Sequence, residues 1–328
     1  MIAAESGFGD FAEYWNKLLE PCQFPAFAPR VDRMAEPPNH EQEKSMPERS
    51  LSVEGVPVPR FLYGTAWKEV DTKRLTELAL SQGFRGIDTA NQRRHYDEEA
   101  VGQAIADSIQ SGLVTRDDLF LQTKFTFRRG QDHRLPYDPT ASIPVQVEQS
   151  FMSSLRHLGV GTIDSYLLHG PTQQNGLASP DWEAWRAMEA IHDTGRVRFL
   201  GASNVTLEQL QQLCRQARVH PRFVQNRCYA ARRWDGRMRE FCAANGLVYQ
   251  GFSLLTANRE AMAHSELARI ATRYGRTVAQ VVFRFGLDVG MIALTGTADA
   301  AHMREDLEVF GFQLESEEIG RIESLLKP

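Results

Sequence analysis

The chain reads as a single-domain (β/α)8 barrel carrying an N-terminal extension, and two observations predict it. From Pro59 onward, apolar runs of four to seven residues alternate with amphipathic stretches, the pattern of parallel strands joined by crossover helices. Three of these runs end on an ionisable residue: Phe84-Arg85-Gly86-Ile87 leads into Asp88, Leu119-Phe120-Leu121-Gln122-Thr123 into Lys124, and Ser165-Tyr166-Leu167-Leu168 into His169. In such a barrel the strand ends converge on one mouth while the strand bodies pack the core, so polar groups at those ends are placed for chemistry.

Taken in order, residues 1–50 stand apart. Phe8, Phe11, Trp15, Leu18 and Leu19 have helical spacing, and Glu36 to Arg49 is polar with two adjacent prolines. We expect a short amphipathic helix and then a linker, with the aromatic stripe docked in cis because exposed aromatics are costly. The barrel is expected over 51–328. Its strands are expected near 61–65, 84–88, 119–124, 164–169, 198–203, 223–227, 247–253 and 291–295, and eight strands suffice for closure. Helix boundaries are marked between them: Ser179-Pro180-Asp181-Trp182 opens one helix and Gly195 closes it. An open doubly wound sheet is the rival fold. It usually carries a GxGxxG fingerprint after an early strand, and none occurs here.

Composition narrows the function. A chain of 328 residues does not limit core volume, and a formal net charge of −5 gives no reason to expect nucleic acid or an anionic membrane as partner. Cys22, Cys214, Cys228 and Cys242 form no CxxC pair and no metal-ligand spacing with His, so no zinc site or disulfide framework is expected, and reduced, cytoplasmic thiols are the default. No basic segment followed by a long apolar stretch opens the chain, and no run approaches the ~18 apolar residues of a membrane span. We expect a monomer or weak homo-oligomer acting on a small molecule.

An Asp, a Lys and a His at one mouth can tune a fourth, proton-donating group, and Tyr96 follows Asp88 closely. The surrounding text is Gly83-Phe84-Arg85-Gly86-Ile87-Asp88-Thr89-Ala90, then Glu98-Glu99-Ala100-Val101-Gly102, Thr123-Lys124, Leu167-Leu168-His169-Gly170-Pro171 and Gly201-Ala202-Ser203-Asn204. In this order it resembles the aldo-keto reductase superfamily over residues 55–325.

The resemblance implies reduction of an aldehyde or ketone, with Asp88, Tyr96, Lys124 and His169 as the catalytic tetrad. A free Tyr titrates at about 10, so bringing it to about 7 requires roughly 4 kcal/mol of preferential phenolate stabilisation. Lys124 is expected to supply it, Asp88 to hold Lys124 as an ion pair, and His169 to hydrogen-bond the substrate oxygen. The family commonly places its Tyr five residues after the Asp. Here that position is Arg93, and the loop carries extra residues, with Tyr96 as the donor and His95 as the alternative.

The resemblance also implies a nicotinamide cofactor, NADPH by family habit, with NADH an alternative. Ser203, Asn204 and Gln225 match residues that bind the carboxamide, and Phe252 replaces the aromatic that stacks on the nicotinamide. Ser253 and Leu254 face the pyrophosphate, while Gly64 and Thr65 join the set from the first strand. At the adenosine end Gly296 stands where a Lys is common, Thr297 replaces Ser, His302 replaces Arg and Asp306 the usual Asn, with Arg304 as a substitute cation. The loop after strand three carries Arg128, Arg129, His133 and Arg134, a wall suited to an anionic substrate, and Trp67 and Trp234 are candidate aromatic walls. Trp182 and Trp185 have helix-packing spacing. The end of the chain just after a terminal helix predicts an open pocket. Two further readings share the fold: a cofactor-binding regulatory or structural subunit, and a non-redox, dehydratase-like enzyme.

Overall fold

The computed structural model describes residues 49–326, so the expected N-terminal helix and nearly all of the linker lie outside the described residues. The described residues begin with a hairpin, β1 (Ser50–Val53) and β2 (Val56–Pro59). It continues through β3 (Phe61–Gly64), α1 (Thr72–Gln82), β4 (Gly86–Asp88), α2 (Glu98–Gln110), β5 (Phe120–Phe125), α3 (Ile143–Leu158), β6 (Ile163–Leu168) and α4 (Ser179–Asp193). The second half runs β7 (Val197–Ser203), α5 (Leu207–Gln216), β8 (Phe223–Arg227), α6 (Gly236–Ala244), β9 (Val248–Phe252), α7 (Arg259–Met262), α8 (Ser265–Tyr274), α9 (Val278–Asp288), β10 (Ile292–Thr295), α10 (Ala300–Leu307) and α11 (Ser316–Glu323).

Strands β3 to β10 close into a barrel, each in parallel with its neighbour and β10 pairing back to β3. All eight lie where the sequence predicts them. The hairpin is additional: Glu54 and Gly55 both take left-handed backbone (φ 51° and 81°), which turns the chain in two residues. Its Val53 and Val58 pack with Leu62, Phe120, Leu167, Phe199, Phe223 and Ile292 and close the floor of the barrel. Phe223 meets Phe120 and Phe199 edge-on, each at 5.6 Å between ring centres. Each such ring, fully buried, is worth about 1.5–3 kcal/mol.

Strand alternation then determines what faces the lumen. Along β5, Phe120, Gln122 and Lys124 point inward, while Leu121, Thr123 and Phe125 face the helices. Thr123 there bonds the buried Glu98 of α2. The lumen is therefore apolar at its floor and polar towards its mouth. Outside, α2 crosses α3 so closely that a Cβ at Gly102 would strike the carbonyl of His157. The opening of α4 differs in detail from the sequence expectation. Ser179 lies inside the helix, and Asp181 caps it by accepting from the Ala178 and Thr172 amides; Gly195, at φ 72°, follows its end as predicted.

Candidate active site

The three ionisable strand ends meet. Lys124 Nζ donates to both oxygens of Asp88, at 2.7 and 2.8 Å, and to the carbonyl of Thr89 at 2.8 Å. Burial pulls the Lys124 pKa down despite that partner. His169 follows β6, its amide donating to the Phe125 carbonyl at 2.9 Å. Its Nδ1 lies 2.7 Å from the Thr126 hydroxyl. Burial and the Lys124 charge push the imidazole pKa down to about 3, so the ring is neutral at physiological pH.

Tyr96 joins this group through the extra residues of its loop. The Gln92 carbonyl accepts from the amides of His95 and Tyr96, making a tight turn, and Asp97 then caps α2 through the Ala100 amide. Side chains fasten the turn from below: Asn91 donates to the Ser150 carbonyl at 2.9 Å and Gln92 to the Gly130 carbonyl at 2.7 Å. The Tyr96 ring lies 5.4 Å from Lys124 Nζ and 6.0 Å, edge-on, from the His169 ring. His95 stacks on Trp67 at 3.8 Å and lines the cavity beside it. The expected lowering of the Tyr96 pKa is not found. Burial, then the charge of Asp88, holds the phenol well above its ordinary value, because the ammonium that would favour phenolate is largely neutralised by Asp88.

A cavity of about 1400 Å³ opens over these residues. Asp88, Tyr96 and His169 line it, together with Gly64, Ser203, Asn204, Gln225, Phe252, Ser253, Leu254, Thr297 and His302. Asn204, with left-handed backbone at φ 55°, donates to the His169 carbonyl at 2.7 Å, and Ser203 donates to the Gln225 carbonyl at 2.7 Å. The Arg227 guanidinium sits 5.6 Å over the Phe252 ring.

Four expectations are corrected. Thr65 is buried and spends its hydroxyl on the Asp88 carbonyl at 3.1 Å, fixing the strand end and not the cavity wall. Trp234 is 0 % exposed, packed on Phe285 with its indole N–H donating to the Ile322 carbonyl; it is core beneath α11. Of the expected wall Arg128, Arg129, His133 and Arg134, Arg129 lines the cavity and the other three do not. Arg304 bonds Gln82 on the outer surface and does not line the cavity. Trp67 lines the cavity, 68 % exposed and at φ 61°.

The sequence reading missed Thr126, whose only signal is a second polar residue just past Lys124, and Lys68. Lys68 follows Trp67, lines the cavity and donates to the Gly296 carbonyl, so its ammonium stands beside the position where a lysine side chain is missing. It also missed Gln122 and Gln250, buried beneath Asp88.

Relatives carry the same frame. The chain is 29% identical over 273 residues to the oxidoreductase YtbE of Bacillus subtilis, covering 83% of this chain and 90% of that protein. It is 28% identical over 276 residues to the glyoxal reductase of the same organism, covering 83% and 91%. Among solved structures, Bombyx mori aldo-keto reductase AKR2E4 in complex with NADP superposes with a TM-score of 0.71 at 25% identity, covering 82% of this chain and 90% of that one. An aldo/keto reductase from Brucella melitensis gives 0.70 at 26% identity over 83% and 96%. The model of the Aldo/keto reductase family matches residues 62–327, from the first barrel strand to the last helix, and with the barrel and its mouth as described this chain belongs to that family of oxidoreductases.

Proposed function

We propose that this protein reduces an aldehyde or ketone to the alcohol with NADPH as reductant and Tyr96 as proton donor. The observation that carries this is the position of the Tyr96 ring, 5.4 Å from the Lys124 ammonium and 6.0 Å from the His169 ring, in the lining of a cavity of about 1400 Å³. The residues present fit that cofactor. Asn204 and Gln225, whose N–H groups are held by His169, Ser203, Asp88 and Gln250, line one end together with Ser203, Phe252 offers a flat face, and Lys68 offers a cation for phosphate oxygens. When bound, NADPH supplies the hydride.

The chain's own groups manage the proton. Burial keeps the Tyr96 hydroxyl protonated at rest, so the donor is loaded throughout the physiological range. As negative charge develops on the substrate oxygen, Tyr96 Oη gives up its proton there, and the phenolate left behind is stabilised by Lys124. His169, neutral and engaged through Nδ1, has Nε2 available to donate to the same oxygen. Asp88 holds Lys124 in place and moderates its charge.

Tyr96→Phe tests the assignment. Reduction should fall by about 10²–10⁴-fold with NADPH affinity retained. Near-normal reduction would transfer the role to His95, and a wild-type chain that binds NADPH without turnover would favour a regulatory subunit.

A further inference from the structure

Three glutamines fill the upper lumen of the barrel; the chemistry above gives Gln122 and Gln250 no task, and Gln225, which also lines the cavity, spends both its N–H groups on neighbours. Gln122 on β5, Gln225 on β8 and Gln250 on β9 are 0, 3 and 0 % exposed. Gln122 Nε2 donates to Gln250 Oε1 at 2.7 Å and Gln250 Nε2 donates back to Gln122 Oε1 at 3.0 Å, a reciprocal amide pair across the barrel. Gln122 Nε2 also donates to Asp88 Oδ1 at 2.7 Å. Gln225 Nε2 donates to the same Oδ1 and to Gln250 Oε1, both at 2.9 Å. With Lys124 at 2.7 Å, Asp88 Oδ1 accepts three N–H groups, whereas among the described residues Oδ2 accepts from Lys124 alone.

Barrel lumens are ordinarily filled by branched aliphatic side chains, and a buried amide is costly unless its bonds are made. Here those bonds converge on one oxygen of the ion pair. They pin the carboxylate from the side opposite the mouth. They also place amide dipoles, positive end first, on Asp88, so Asp88 cancels less of the neighbouring ammonium charge.

We infer that Gln122, Gln225 and Gln250 are positioning residues, a layer that fixes the Asp88 carboxylate and sets how much of the Lys124 charge reaches the Tyr96 hydroxyl. The inference rests on the reductase reading. The ionisable groups facing Tyr96 are Asp88 from β4, Lys124 from β5, His169 from the β6 exit and His95 beside it, with Glu98 of α2 acting on Lys124. Loss of amide bonds from Oδ1 leaves Asp88 more negative towards its surroundings. The phenolate then becomes harder to form.

The test is Gln122→Met/Gln250→Met, which removes both members of the reciprocal pair with little change of volume. In the alcohol-oxidation direction Tyr96 must first lose its proton, so the rise of kcat with pH reports the phenolate. Along the rising limb below the titration itself, the profile should move to higher pH by about half a unit or more, a roughly threefold lower kcat at any one pH, with NADPH affinity, measured by fluorescence titration, changed by less than about twofold. Gln250→Met alone leaves both amide bonds to Asp88 in place and should move the profile less. An unmoved profile in the double variant, or equal movement in both, overturns the inference. Should the double variant fail to fold, Gln122→Met carries the same criterion. A wild-type protein without turnover in either direction removes the reductase reading and this inference together, an outcome distinct from an active variant with an unchanged profile.

Discussion

The Thr126 hydroxyl lies 2.7 Å from Nδ1 of His169, and this contact commits one ring nitrogen and leaves Nε2 to the cavity. The tautomer that serves the substrate oxygen is the one with the proton on Nε2, which requires the threonine to donate. Thr126→Val keeps the shape and removes the donor. We expect kcat/KM for carbonyl reduction to fall about tenfold, or ~1.4 kcal/mol, with cofactor affinity unchanged, measured by steady-state kinetics and titration.

The same imidazole makes stability depend on pH. His169 titrates at about 3 in the folded chain, because burial and then Lys124 oppose its charge, against about 6.5 when unfolded. Between those values the unfolded chain binds the extra proton, so stability falls as pH drops below about 6.5 and continues to fall towards 3. His169→Gln should lose less Tm than the wild type between pH 7.5 and pH 4.5. Parallel losses in the two proteins would show that the imidazole is not held neutral.

Lys68 stands at the β10 exit, its ammonium on the Gly296 carbonyl and its pKa lowered by burial. Lys68→Met should weaken NADPH binding about tenfold and flatten its salt dependence, because an ammonium on phosphate oxygens is a charge-assisted contact. Calorimetric titration at two ionic strengths decides this; unchanged affinity would mean that no cofactor phosphate reaches Lys68.

Trp234 separates core from pocket. It is fully buried on Phe285 and tied to the Ile322 carbonyl, so Trp234→Ala should cost about 3–5 kcal/mol in chemical denaturation while leaving KM for small aldehydes essentially unaltered. A large rise in KM with little loss of stability would return it to the substrate wall.

Much of this was legible in the chain. All eight barrel strands could be read from apolar runs, and Asp88, Lys124 and His169 from their ends, because a parallel strand buried on both faces leaves a mostly apolar signature whose polar residues gather towards the mouth. The floor hairpin was marked by Glu54-Gly55 between alternating valines, but its strands are too short and half-exposed to stand out.

What the sequence by itself determined was the barrel, the family resemblance and three of the four groups at the mouth, since these depend on local pattern and on order along the chain. Only the tertiary structure decided that Tyr96 and not His95 turns towards Lys124, that Arg129 and not Arg128 meets the cavity, and that Trp234 is core. It also decided that Gln122, Gln225 and Gln250 converge on Asp88 from three strands. The direction of a side chain from a loop, and the meeting of residues up to 137 positions apart, depend on strand register and loop closure. The same closure raises the Tyr96 pKa, because burial and the Asp88 partner of Lys124 exist only once the barrel is complete.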